Sequence, residues 1–394
     1  MGRVRWRCEV LGFMLSTEVR PDYVCPMNVL LCWLLAASSV IAVTVDDDAS
    51  LRGALAAAKP GDEIVVKAGS YRGGIQVRDR AGTADRPIVL RAEGEVWLRG
   101  GGSTAIQFSA CPHWKVKGLR AEGYPGNGFN FDDAGRLDQA VKGVVIEDLV
   151  VLRTGPRGNH DGIKMSGLVD FEVKGCRIEG WGGSAIDMVG CRDGKVTGCI
   201  IRGLEGHDSM SGIQMKGGTR GITVFRTRFE DAGLRAINLG GSTGKPYFRP
   251  EVTRFEASDI TVAHNVFVGG QCAVAFVTAD QGAVRHNLIL RPEKWAFRIL
   301  QEQPVPEFGA CRNGRIERNI IVFPEDNRVA VNVGPNTEAG SFAFRENAWF
   351  HEGGRHRPQL PSAEQGGVYG TDPKLDGERV TARALAGFGP QSGS

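Results

Sequence analysis

The sequence lacks several features that would place it in a common class. It has no stripe of Lys and Arg with interleaved aromatics, and its formal charge is +3 over 394 residues. Both argue against nucleic acid as a partner. No apolar run reaches the roughly 20 residues that a bilayer span needs. No Cys-x-x-Cys pair occurs, which removes the usual spacing of a structural zinc site. Glycine, by contrast, is abundant: its 55 residues are about twice the usual share. They are scattered among Val/Ile-rich runs, which predicts many short strands joined by tight turns.

From Met27 the segment MNVLLCWLLAASSVIAVTVDDD carries a short apolar run followed by Val40-Ile41-Ala42. A short apolar core with a small-residue cleavage site is the pattern of a secretory leader. Residues 1–26, with Arg3, Arg5, Arg7 and Arg20, fit no fold and read as an over-extended start. The mature chain is thus expected to be secreted or periplasmic, without a membrane span, and to act as a monomer. Its six cysteines, Cys111, Cys176, Cys191, Cys199, Cys272 and Cys311, would meet an oxidising compartment. Cys176 and Cys199 hold equivalent places on adjacent repeats, and two stacked buried thiols are the expectation there in preference to a disulfide.

The repeat itself runs through the middle of the chain. The segments TAIQF, NGFNF, DGIKM, SAIDM, SGIQM, RAINL, CAVAF, WAFRI and VAVNV share one pattern: small residue, apolar, variable, apolar. Their variable positions are Gln107, Asn130, Lys164, Asp187, Gln214, Asn238, Ala275, Arg298 and Asn332, on a base period of about 23 residues with loop insertions. A second strand set ends on Asn265, Asn287, Asn319 and Asn347, an asparagine ladder expected to sit in the αL turn. A period of this length with two or three short strands per turn is that of a parallel β-helix, whose coils bury their inward side chains by stacking. Propeller blades need about 40 residues, and leucine-rich repeats need Leu where this chain has Ile, Val and Phe. The fold expected is therefore all-β, a single-stranded parallel β-helix over residues 43–350. A short helix from Ser50, its N-cap, covers the first coil, and an irregular tail over 351–394 runs across the last.

The stretch GDEIVVKAGSYRGGIQV…GTADRPIVLRAEGEVWLRG resembles the N-terminal cap and first coils of secreted β-helix proteins, including chondroitinase B and the alginate lyase-like enzymes. The rungs from Val262 to Ile321 are similar to the generic repeat of pectin-lyase-like proteins. The resemblance is architectural, and it implies that the β-helix is right-handed. The calcium ligands and the Lys and Arg pair that it implies for lyases have no motif here. The polygalacturonase pattern is also missing: Asn159-His160-Asp161, Gly162-Ile163-Lys164 and Gly206-His207-Asp208 come in another order and without an Asp pair.

Alternation predicts that each variable residue faces outward, and the small residue two before it (Gly162, Ala185, Gly212, Ala236, Ala273, Ala296, Ala330) is expected on the same face. Together they suggest a smooth strip beside a polar stripe, a floor for a linear polysaccharide. Loop insertions at 152–161, 203–211 and after Asn238 bring His160, Asp161, His207, Asp208, Arg235, Tyr247, Phe248 and Arg249 to the same coils. Candidate catalytic residues are Lys164, Asp187, His160, Asp161, His207, Asp208 and Arg235; Gln214, Lys216, Asn238, Tyr247, Arg249 and Arg298 are candidates for substrate binding.

β-Elimination of a uronate chain needs a neutralised carboxylate, a base and an acid. Arg235, Lys216, Gln214 and Asn238, or Ca²⁺ held by Asp161, Asp187 and Asp208, would serve the first need. His160, His207 or Lys164 would be the base. The alternatives are glycoside hydrolysis by an Asp pair and a non-catalytic carbohydrate-binding or cell-surface module. The plainer reading of Lys164 with Asp187 is an exposed ion pair worth under about 1 kcal/mol. Trp181, Tyr247 and Phe248 would offer sugar-stacking rings, or simply cover the core.

Overall fold

The computed structural model describes residues 42–327, 329–354 and 357–391; the expected leader, up to residue 41, lies outside them. Among the described residues no helix is long and apolar enough to cross a membrane. The chain winds as a single-stranded parallel β-helix. Ten strands, from Ile75–Arg78 to Val331–Val333, stack in chain order as one parallel sheet. A further twenty-four strands, two or three per coil, join in a continuous sheet that forms the other walls. Between the walls lies one long core of Ile, Val, Leu and Phe side chains, with Ile163, Ile186, Ile213 and Ile237 wholly sealed. Stacking suits these β-branched residues, since each coil supplies the apolar surface that its neighbour lacks.

The capping helix spans Asp48–Ala57 and begins before the Ser50 expected as its cap. Asp47 is the N-cap: the Ser50 amide donates to Asp47 Oδ1 at 2.7 Å, and the Asp47 amide donates to Ser50 Oγ at 3.2 Å. This reciprocal box satisfies two orphan donors, which a cap at Ser50 would leave unpaired. Leu51 and Leu55 face down onto the first coil.

The asparagine ladder is real but differs from its expected geometry. The αL residue of each turn is the one before the ladder position, His264, His286, Arg318 and Glu346. The asparagines themselves point inward and are fully buried. Each side-chain oxygen accepts the backbone amide of the preceding rung: Asn265 to Asn287 at 2.9 Å, Asn287 to Asn319 at 3.0 Å and Asn319 to Asn347 at 3.1 Å. Each Nδ2 donates to a carbonyl one coil back, Asn319 to Val284 at 2.9 Å for instance. An inward amide thus closes turn groups that would otherwise be buried unpaired. The ladder ends on Glu364, whose carboxylate accepts the Asn347 amide at 3.0 Å, Trp349 Nε1 at 2.7 Å and the Tyr369 hydroxyl at 2.8 Å. All six cysteines of the described chain are free and buried.

Beyond Glu364 the tail does more than cover the last coil. A small hairpin, Leu375–Asp376 against Arg379–Val380, leads to Leu385, which packs on Leu288, Leu290, Ile320 and Val322. The Gln391 amide then reaches His264 Nδ1 at 3.1 Å, several coils back.

Candidate functional site

The outward column is in register. Asn130 pairs with Lys164, Lys164 with Asp187, Asp187 with Gln214, Gln214 with Asn238, Asn238 with Ala275, Ala275 with Arg298 and Arg298 with Asn332. The small residues before it do not form an open floor. Ala185, Ala236, Ala273, Ala296 and Ala330 are sealed in the core, and a Cβ on Gly162 would press on the Ile178 side chain. The pairing between Ser184–Val189 and Ser211–Lys216 skips Ala185 and Gly212. The strand therefore enters through a local irregularity that turns the small residue inward, where nothing larger fits at the corner of the coil.

Asp187 is 0 % exposed and lies beneath two lysines. Lys164 Nζ donates to Asp187 Oδ2 at 2.8 Å and to Asp161 Oδ2 at 2.8 Å. Lys216 Nζ stands 3.1 Å from Asp187 Oδ1 and donates to Gln214 Oε1 at 3.2 Å. Asp161 is equally sealed, and its Oδ1 accepts the Ser184 amide at 2.7 Å, which fixes the start of the next strand. The expected exposed ion pair is thus a buried charge cluster, because lysine stems from the coils on either side fold over the short aspartate.

The electrostatics separate the roles. Burial works against the charge of Lys164, but Asp187 and Asp161 outweigh it and hold the ammonium above its ordinary pKa. Burial raises the Asp161 carboxyl, and the neighbouring Asp187 adds to the shift. Burial also opposes the charge of Asp187, yet Lys216 and Lys164 overcome it and keep that carboxyl below its ordinary value. A lysine held protonated is no base, so the base expected at Lys164 is corrected: this group supplies fixed positive charge.

Lys164, Asp187 and Lys216 line a cleft of 460 Å³ together with Asn159, Ser166, Tyr247 and Arg249. Its wall is the loop after Arg235–Gly240. That loop doubles back along the edge of the sheet until Arg249 Nε donates to Asp133 Oδ2 at 2.6 Å. Gly190, at φ +61, permits the approach, since a Cβ there would sit 2.3 Å from Arg249 Cβ. Glu256, fully buried at the end of the loop, ties it to its own start and to the preceding coil: its carboxylate accepts the Thr243 amide at 2.6 Å and the Gly217 amide at 2.7 Å. Neither Asp133 nor Glu256 stands out in the sequence. Their only signal is position, each being an acid at the junction of a repeat strand and a long insertion.

Other expected residues fall elsewhere. His207 and Asp208 line a separate depression of 310 Å³ with Glu205, Asp231 and Leu234. His160 packs beside Gly155 and outside the cleft lining. Trp181 is sealed, its Nε1 donating to the Ser211 carbonyl at 2.7 Å, and Phe248 is buried against Phe308. Only Tyr247, 64 % exposed, presents a ring at the rim. Arg235 Nη1 donates to Asn238 Oδ1 at 3.3 Å and Nη2 pairs with Glu302 at 2.7 Å, on the next coils. The three-aspartate calcium set does not form. Asp161 and Asp187 close on Lys164, Asp208 is elsewhere, and among the described residues no three His, Cys, Asp or Glu side chains converge to hold a metal.

Residues 104–299 match the family described as right handed beta helix region. Among solved structures, a family 6 polysaccharide lyase from Pseudopedobacter saltans is 13 % identical over 88 % of this chain and 99 % of its own, with a TM-score of 0.55. A family 136 lacto-N-biosidase from Eubacterium ramulus is 11 % identical over 83 % of this chain and 68 % of its own, with a TM-score of 0.53. At these identities the likeness establishes the fold. No curated protein matches the sequence.

Proposed function

We propose that the chain, a right-handed parallel β-helix and so a fold on which function resides in the site, binds an extended, uronate-containing polysaccharide in this groove and cleaves it by β-elimination. One observation carries the reading. Every cation of the cleft keeps some access to water while every carboxylate that holds it is sealed behind: Lys164 at 24 %, Lys216 at 19 % and Arg249 at 12 %, against Asp161 and Asp187 at 0 % and Asp133 at 1 %. Such a surface presents fixed positive charge to an anionic ligand, preorganised by buried counter-charges.

In the elimination, the sugar carboxylate sits against the Lys164 ammonium and the Arg249 guanidinium. Neutralised there, it acidifies the adjacent C–H. A base takes that proton, the C–O bond to the leaving sugar breaks as the C=C bond forms, and an acid protonates the leaving oxygen. We assign the abstraction of the C–H proton to Tyr247 and the protonation of the leaving oxygen to the Lys216 ammonium, with Asp187 orienting both lysines.

A second reading, retaining glycoside hydrolysis, draws support from the opposed shifts of Asp161 and Asp187, the pattern that divides acid from nucleophile. Both Oδ2 atoms lie 2.8 Å from one Lys164 nitrogen, so they are no more than about 5.6 Å apart, a limit that admits the roughly 5–5.5 Å of retaining enzymes. Neither carboxylate is accessible, however, and Lys164 stands between them.

The test is to incubate the protein with uronic and neutral polysaccharides and follow ultraviolet absorbance of unsaturated ends together with new reducing ends. Elimination raises both signals on uronic substrates. Reducing ends alone mean hydrolysis, and binding with neither signal removes the enzymatic reading.

A further inference from the structure

The groove continues past the cleft, and its far end has a chemistry that the cleft does not use. Arg298 lies on the same outward column as Asp187, four rungs on through Gln214, Asn238 and Ala275. At the spacing of parallel strands this is about 19 Å. Its guanidinium carbon stands 4.3 Å from the centroid of the Trp295 ring, and Nε donates to Asn332 Oδ1 at 3.0 Å. Among the described residues Arg298 makes no ion pair, while Arg235, on the near side, spends Nη2 on Glu302. The coil between them contributes the small, sealed Cys272 and Ala275, on which the Trp295 ring packs, and Glu302 reaches back across it to Arg235. The arginines feel one another: burial first, and then Arg235, hold the Arg298 guanidinium below its ordinary pKa.

The opposite end of the column is different. Gln107 Nε2 donates to Asp132 Oδ2 at 3.0 Å and Asn127 Nδ2 to Asn130 Oδ1 at 3.0 Å. These amides are already partnered and carry no charge, so the groove is electrostatically lopsided towards its C-terminal coils.

We propose that Arg298, seated on Trp295 and seconded by Arg235, forms a remote subsite that takes the carboxylate of a further sugar of the same chain, so that bound polysaccharide runs from the cleft towards the C-terminal coils. The proposal rests on the anionic-polysaccharide reading above. Arg298 is the ligand-contacting group, since its guanidinium stands over the Trp295 ring and spends Nε on Asn332, which leaves the Nη donors for a carboxylate. Trp295 is a positioning residue that holds that guanidinium.

The experiment measures dissociation constants of the full chain for alginate, polygalacturonate and their defined disaccharides and octasaccharides, at one fixed salt concentration. For the wild type, affinity should keep rising until the oligomer spans about 19 Å; a plateau at the disaccharide overturns the proposal without any variant. Arg298→Gln should weaken the octasaccharide at least tenfold and the disaccharide less than twofold. Arg298→Lys should restore little of the loss, because a point charge lacks the planar fork. Trp295→Leu should reproduce part of it. Equal effects on short and long ligands, or none on either, overturn the subsite while leaving the cleft reading intact. A wild type that binds neither polyuronate overturns both.

Discussion

At the scale of single residues, Asp187 holds two ammonium groups by one carboxylate that never meets water. Breaking a sealed pair in this way costs about 3–5 kcal/mol. Because both lysines keep partial access to solvent, we expect Asp187→Ala to lose about 2–3 kcal/mol in equilibrium unfolding, and cleavage to fall at least about 100-fold. The pH dependence has a definite sign. The carboxyl of Asp187 is held below the 3.8 of a free aspartate, so its contribution is present above that value and is lost as pH falls through the lower folded value. Lys164 is held above 10.5, so its contribution is present below that value and is lost as pH rises through the higher folded one. Asp161, raised from 3.8, acts against Asp187: its share is fully present below 3.8 and fades as pH climbs. The stability difference between wild type and Lys164→Met should therefore be largest in the neutral range and shrink towards both extremes, as urea titrations across pH would register. The column that unites Lys164, Asp187 and Gln214 was legible because the period brings them into register. The burial of Asp187 was not, since it depends on how far two lysine stems fold over a shorter neighbour, which no spacing encodes.

At the scale of elements, the loop between Gly240 and Ala257 decides whether the groove has a wall. Its anchor is Glu256, which also accepts Gln303 Nε2 at 2.5 Å. Glu256→Ala strands three donors, and because this loop carries both Arg249 against the sugar carboxylate and Tyr247 for proton transfer, the expected result is a KM raised about tenfold or more together with a fall in kcat. Steady-state kinetics on a polyuronate would separate the two. Nothing periodic links Arg249 to Asp133, 116 residues earlier; an insertion follows no repeat, so its path could not be read from spacing. The ladder was readable as a ladder because its asparagines recur in register, although which residue would adopt αL was not. Asn319→Ala removes the acceptor of the Asn287 amide and the donor to Val284. Orphaned buried groups cost about 1–3 kcal/mol each, and a drop of about 2–4 kcal/mol in unfolding free energy is expected, with the adjoining coils losing amide-exchange protection first.

At the scale of the whole molecule, stacking separates two tasks. Inward residues make a solenoid that many sequences could fill, whereas outward residues of a few coils carry whatever chemistry there is. This is why the architecture could be read from repeats alone, while reaction and substrate rest on side chains such as Tyr247 and Arg298, whose meaning comes from neighbours far along the chain. If the groove works through fixed charge, raising salt from about 0.05 to 0.5 M shortens the screening length severalfold. Affinity for a polyuronate should then fall about fivefold or more, while thermal unfolding, governed by the apolar core, shifts little; titration and melting on the same samples would test the contrast.

The asparagine ladder also makes the molecule spliceable. Each rung from Asn265 to Asn347 presents the same acceptor to the coil before it and the same donors backwards, and only Glu364 closes the series. An additional coil with an Asn at the ladder position, introduced between Leu290 and Trp295, would find a matching partner on each side. Placed after Asn347, it would have to displace the terminal carboxylate. The first insertion would also lengthen the interval between Asp187 and Arg298 from four rungs to five. The protein would then serve as an adjustable ruler, its preferred saccharide length set by the number of coils between two charged marks.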